Sequence, residues 1–133
     1  TGNVARGIKV FDRLGCQACH AGSTRLGPGL AGSGKRLSRD DLLTAILNPS
    51  RDVAPIYRVT NIETKDNKRI SGLITYDSRE ALLVQLGTGE TKRIAGPDIE
   101  SRTPSMKSLM PDGLLKGIKP EDLADLFAFL TRQ

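Results

Sequence analysis

Cys16-Gln17-Ala18-Cys19-His20 contains both cysteines and the only histidine of this 133-residue chain. A Cys-x-x-Cys-His run reads as a covalent haem attachment site. The sulfurs of Cys16 and Cys19 would form thioethers with the two vinyl groups, and the imidazole of His20 would ligate the iron. The two-residue spacer lets one turn of chain reach both vinyl positions while holding His20 beneath the ring. One covalently attached haem c is the implied cofactor, and the protein's part is to hold and tune it.

Two other chemistries use similar residues. A thioredoxin-like dithiol expects a strand before its Cys-x-x-Cys within a βαβ pattern, whereas the segment before Cys16 reads as a helix. A structural zinc site takes four ligands, usually sulfur or imidazole, and only three such residues exist in the chain.

Working outward, Asn3 to Leu14 predicts a helix, with Asn3 as N-cap and Gly15 as terminator. Val4, Ile8, Phe11 and Leu14 recur at helical spacing. Gly7 lies one turn before Phe11 on nearly the same face, which marks it as the crossing point with another helix. On the other side, Ala21 to Lys35 reads as a glycine-rich loop around Leu26-Gly27-Pro28-Gly29-Leu30. A ligating imidazole normally donates its second N–H to an oxygen, and the carbonyl of Pro28 is the candidate acceptor. Leu26 and Leu30 would then touch the porphyrin, and Lys35 or Arg36 could meet a haem propionate.

Ser38-Arg39-Asp40-Asp41 is a capping signal for a second helix, with Leu42, Leu43, Ile46 and Leu47 as its apolar stripe and Asn48-Pro49 as its stop. From Ile56 the pattern changes to short alternating runs: 56–63, 69–76, 81–86 and 91–95. These are separated by turn-like residues and predict an antiparallel meander of about four strands, with a fifth possible near 99–102. Ser105 to Gly117 reads as irregular. Pro120, Glu121 and Asp122 then open a final helix with Leu123, Leu126, Phe127 and Leu130 on its apolar face. It would cross the first helix with Phe127 or Leu130 meeting Gly7 and Phe11. The expected fold is mainly α with a β insertion (α+β), a single domain whose helical haem-binding parts, 1–55 and 103–133, flank an inserted β-module at 56–102.

A haem bound by His20 alone keeps one iron position open. The chain has two thioethers, Met106 and Met110, and a thioether opposite imidazole suits an electron carrier. Pro111 restrains the loop at Met110, which favours it, while Met106 is close enough to compete. At this size one domain with a real core is expected. The formal charge of +5 is spread over scattered Lys and Arg without a nucleic-acid motif, so no nucleic acid is expected, although an acidic redox partner could be steered by it. No membrane-length apolar run occurs. The chain begins at Thr1, as expected of a processed chain or a domain of something larger.

Taken together, the first helix, Cys16-x-x-Cys19-His20, Gly27-Pro28, Met110 and the closing helix resemble the class I cytochrome c pattern. More specifically, the chain is similar to the planctomycete and verrucomicrobial type of haem-binding domain. The matching stretches are Gly27-Pro28-Gly29-Leu30, Gly34-Lys35-Arg36-Leu37-Ser38, Asn48-Pro49-Ser50 and Ser108-Leu109-Met110-Pro111-Asp112-Gly113-Leu114. That family typically occupies the C-terminal end of large exported proteins, often after dehydrogenase-like β-propellers. The resemblance implies a class I cytochrome c helical haem domain that carries the strand insertion. It implies Met110 as the distal ligand and an electron-relay role for a fused dehydrogenase domain or partner oxidoreductase, without substrate chemistry of its own. Haem attachment in bacteria is completed outside the cytoplasmic membrane, so a periplasmic or exported location is expected. The alternatives are a haem-based ligand sensor or peroxidase-like enzyme with a labile sixth ligand, and a module in which the haem is only structural.

Overall fold

The computed structural model describes residues 1–21 and 26–133. The chain divides into two compact units, one made of Thr1–Pro49 with Pro111–Gln133 and the other of Ser50–Met110.

The first unit is helical: α1 (Val4–Arg13), α2 (Gln17–His20), α3 (Ser33–Arg36), α4 (Arg39–Leu47) and α5 (Pro120–Leu130). Asn3 caps α1, its side chain accepting from the backbone N–H of Arg6 at 2.9 Å. A capping box starts α4, where the Ser38 hydroxyl accepts from the Asp41 N–H at 3.1 Å and the Asp41 carboxylate from the Ser38 N–H at 3.0 Å, so two otherwise orphaned donors are satisfied. The core consists of Val10, Phe11, Leu42, Leu115, Leu126, Phe127 and Leu130. Ile8 and Leu47, expected on apolar faces, instead stand 44% and 57% exposed. α3 is a helical turn within the span expected to be loop from Ala21 to Lys35, and residues 22–25 of that loop lie outside the described residues.

α1 and α5 meet at Gly7, where a Cβ would run into the carbonyl of Asp125 and the Cβ of Phe129. At Gly7 the nearest partners are thus Asp125 and Phe129 rather than Phe127 or Leu130, while Phe11 shares the helical core with Phe127 and Leu130 as expected. Phe129 sets its ring edge-on to Phe11, 5.2 Å between centroids. The buried Asp125 carboxylate accepts from the backbone N–H of Asn3 at 2.6 Å and from the Arg6 guanidinium at 2.7 Å. These contacts hold it below the usual carboxylate range, the Arg6 hydrogen bond being the largest influence.

The second unit is one antiparallel sheet in the order β4-β3-β2-β1-β5. Its strands are β1 (Arg58–Thr64), β2 (Arg69–Asp77), β3 (Ala81–Gln85), β4 (Thr91–Ala95) and β5 (Ile99–Ser108). Ile62, Ile70, Leu82, Val84 and Ile94 form its core. The β1–β2 turn closes with the Thr64 N–H on the Lys68 carbonyl at 2.9 Å and puts Asn67 at φ 64°, a left-handed conformation that asparagine tolerates.

This architecture corrects the expected fold class. The protein is α+β with a five-stranded sheet, not a mainly α chain with about four inserted strands, and among the described residues only three helices, of 10, 9 and 11 residues, are longer than one turn. These elements do not make up a class I cytochrome c fold. The sheet exceeds expectation because β5 continues to Ser108, through residues read as irregular. Pro104 is admitted there because β5 is an edge strand, irregular in register where it pairs with β1 around Thr60, so a missing N–H need not break a central ladder. Ile56, expected to begin a strand, lies in the 3₁₀ turn Pro55–Tyr57 and is 75% exposed.

Alanine at Gly7 would gain roughly 0.5–1 kcal/mol of helix preference, but overpacking a tight contact costs roughly 1–3 kcal/mol. Gly7→Ala is therefore expected to lower the denaturation midpoint, whereas Ile8→Ala should change stability by no more than about 0.5 kcal/mol. Equilibrium unfolding of both variants checks this. Because the Asp125 pKa is depressed on folding, its contribution is complete above the unfolded carboxylate pKa of about 3.9 and fades as pH falls through the lower folded value. The stability gap between the parent protein and Asp125→Asn should be level from neutral pH down to that point and then shrink. Thermal melts across a pH series measure it.

Candidate functional site

The turn out of α1 sets up the pentapeptide. Gly15 takes φ 81° with open space where a side chain would be, so it is the backbone angle, not crowding, that calls for glycine. The Gly15 N–H reaches the Asp12 carbonyl at 3.0 Å and the Cys16 N–H reaches the Phe11 carbonyl at 3.2 Å. This pair of bonds is a Schellman motif, which satisfies helix-end carbonyls while reversing the chain. Cys16 then starts α2, whose single turn is closed by the Cys19 and His20 N–H groups on the Cys16 carbonyl at 3.2 and 3.0 Å. Residues three and four apart share a helical face, so Cys16, Cys19 and His20 are gathered on one side of this turn. All three are half-buried, and Cys16 packs against the helical core.

The loop after α2 seats the imidazole. His20 Nδ1 lies 2.8 Å from the carbonyl oxygen of Pro28, which can only accept, so Nδ1 is the protonated nitrogen and, in the neutral ring, Nε2 is the one with the lone pair. Gly27 faces the same ring: a Cβ there would stand 2.9 Å from Cε1, 3.1 Å from Nδ1 and 3.3 Å from Nε2. Its N–H is fixed to the Cys19 carbonyl at 3.1 Å, which ties the loop to α2. The loop thus holds the ring from one flank and from one nitrogen.

The other sequence-predicted residues fall as follows. Leu26 is buried, and Leu30 is half-buried against the helical core. Arg36 is exposed and folds back on its own turn, donating to the Ala31 carbonyl at 3.0 Å; Lys35 is also exposed. Met106 lies on β5 and is 64% exposed. Met110 follows the end of β5, half-buried, its N–H donating to the Ser108 hydroxyl at 3.0 Å. His20 belongs to the helical unit and Met110 to the strand-rich one.

Two features were not read from the sequence. One is the contact of Gly27 with the ring, for which the only cue was a glycine just before Pro28. The other is the Ser33 hydroxyl, 3% exposed and without a hydrogen-bond partner among the described residues, a condition that native structures rarely leave unresolved. No cluster of three or more His, Cys, Asp or Glu able to hold a metal ion occurs among the described residues. No helix among them is long and apolar enough to cross a membrane.

Burial pushes the Cys16 thiol pKa up, with the charges of Cys19 and Asp12 adding to it. A disulfide-exchange nucleophile needs the opposite shift, toward thiolate.

Substituting Gly27 by alanine should push the imidazole off Pro28, whereas alanine at Gly29, where a Cβ meets open space, should not. Nitrogen NMR of His20 checks this: a protonated, hydrogen-bonded Nδ1 in the parent protein and Gly29→Ala, and loss of that signature in Gly27→Ala. No protein-family model and no curated protein matches the chain.

Proposed function

We propose that this protein is a mono-haem c electron carrier. In this reading Cys16 and Cys19 would hold the haem covalently, and His20 and Met110 would ligate its iron. It relays single electrons to or from a fused or partner oxidoreductase outside the cytoplasmic membrane. The observation that carries the reading is the state of His20: its Nδ1 is occupied by the Pro28 carbonyl at 2.8 Å, which leaves Nε2 as a ready donor, on the same helical turn as two thiols. A metal-ligating imidazole is ordinarily oriented in this way by an acceptor on its other nitrogen.

The remaining residues fit such a group. Gly27 removes the one side chain that would crowd the imidazole. The orphaned Ser33 hydroxyl offers a donor in the segment that follows the His20-binding loop, and Arg36 offers an exposed cation to a carboxylate. When bound, haem supplies a one-electron iron couple, whose potential a thioether ligand raises. The chain's part would be to hold His20 oriented through its Pro28 hydrogen bond and to supply the Met110 thioether.

Of the two thioethers, Met106 is fixed on a paired edge strand and largely exposed. Met110 lies past the strand end and is followed by Pro111, and it also matches the methionine of the planctomycete-type domains that the sequence resembles. With His20 engaged, no second imidazole exists in the sequence to serve as a distal acid–base group, which favours a carrier over a peroxidase-like enzyme.

The purified protein should be coloured, and its alkaline pyridine spectrum should be that of a haem with both vinyl groups saturated. Replacing either Cys16 or Cys19 by alanine should leave one vinyl group intact. Met110→Ala should abolish the sulfur-to-iron charge-transfer band of the oxidised protein, and Met106→Ala should preserve it. A colourless protein overturns the proposal, and loss of the band in Met106→Ala alone overturns the ligand assignment.

A further inference from the structure

Lys and Arg that are scattered along the sequence come together on the strand-rich unit. A groove of about 500 Å³ opens between the β1–β2 turn and β4, and Lys65, Lys68, Lys92 and Arg93 line it. Its floor includes Ile70 and Ile94, both part of the buried sheet core. Two carboxylates also line it, Asp66 and Asp98, so four cations face two acids. Asp66 is already engaged by the Thr64 hydroxyl and, at 3.6 Å, by Lys68. Lys65, Lys92 and Arg93 have no ion-pair partner among the described residues.

Strand register explains the cluster. Lys92 and Ile94 are two apart on β4, opposite Val84 and Leu82 of β3, so Lys92 is on the same sheet face as the buried Ile94. An inward-facing charge on an edge strand is a known guard against edge-to-edge association, and that accounts for Lys92 alone. It does not account for Lys65 and Lys68, which the β1–β2 turn delivers to the same groove.

We propose that this groove is a docking site for an acidic segment of a partner protein, with carboxylates meeting Lys65, Lys68 and Lys92 and an apolar side chain resting over Ile70 and Ile94. Charge complementarity identifies the occupant. A cationic rim attracts acidic sequence and speeds encounter, while an apolar floor favours a side chain over a bare anion. The inference concerns the sheet alone and does not depend on haem attachment.

The test uses the full chain and a labelled peptide of alternating glutamate and leucine as the probe. The groove variant Lys65→Glu/Lys68→Glu/Lys92→Glu is compared with Lys9→Glu/Lys107→Glu/Lys116→Glu, which changes net charge equally at exposed positions elsewhere. Lys65→Gln/Lys92→Gln serves as a milder pair. Affinity should fall by about tenfold or more in the groove variant and weaken clearly in the milder pair. It should change by no more than about threefold in the control and decline with added salt in the parent protein. Equal losses in both triple variants, no binding of the peptide, or groove-dependent binding that prefers inorganic phosphate, duplex DNA or anionic lipid vesicles would each overturn the proposal. An unchanged visible spectrum across the variants separates this outcome from any failure of the haem assignment.

Discussion

The helical unit is held by a backbone-to-backbone approach with no room for a methyl group. At Gly7 the first helix presses against the carbonyl of Asp125 on the last, and the same residue's carboxylate takes the N–H of Asn3 and the guanidinium of Arg6. A steric constraint and a charged hydrogen-bond network thus act at one residue of α5. Burying a carboxylate is costly unless it is paired and hydrogen-bonded, and here its partners come from the N-cap and first turn of α1. Helix capping and helix crossing are therefore one arrangement, and it joins the start of α1 to the middle of α5.

Placement of the candidate site follows from that crossing. Once α1 is docked, its C-terminal Schellman motif fixes where Cys16 starts, and one helical turn later His20 has only a limited choice of directions. The Gly27-Pro28 segment selects among them by touching the ring on one side and binding Nδ1. No long-range side-chain network is needed to orient the imidazole. Short-range backbone geometry, anchored by one tight interhelical contact, does the work.

Local chemistry was legible in the sequence where it is self-contained. The caps at Asn3 and Ser38, the stop at Gly15, the acceptor carbonyl of Pro28 and the four alternating runs between residues 56 and 95 all depend on neighbours a few positions away. What could not be read depends on distant partners. Helical periodicity suggested Ile8 and Leu47 for buried faces, yet both lie on the exposed side, because the width of a buried stripe is set by whatever packs against it. Residues 105–108 look irregular alone, with serines and an exposed methionine, and become strand only because β1 offers a partner. That extra pairing lengthens the fifth strand to ten residues and enlarges the sheet beyond what the sequence suggested. The clustering of Lys65 and Lys68 with Lys92 and Arg93 was hidden for the same reason, since sheet register brings together cations more than twenty positions apart.

The strand-rich unit also begins and ends at one place. Ser108 at the end of β5 donates its N–H to the hydroxyl of Ser50 at 3.1 Å, and Arg58 at the start of β1 stands opposite Ser108. Once the sheet has formed, the interval from Ser50 to Met110 behaves entropically as a short connector, because the cost of joining the flanking segments depends on the freedom of the intervening chain rather than on its residue count. A large structured insertion can therefore sit between Pro49 and Pro111 without imposing the closure penalty that a floppy stretch of equal length would carry. Assembly order matters to the helices accordingly: sheet first makes their meeting a local event, helices first makes it a distant one.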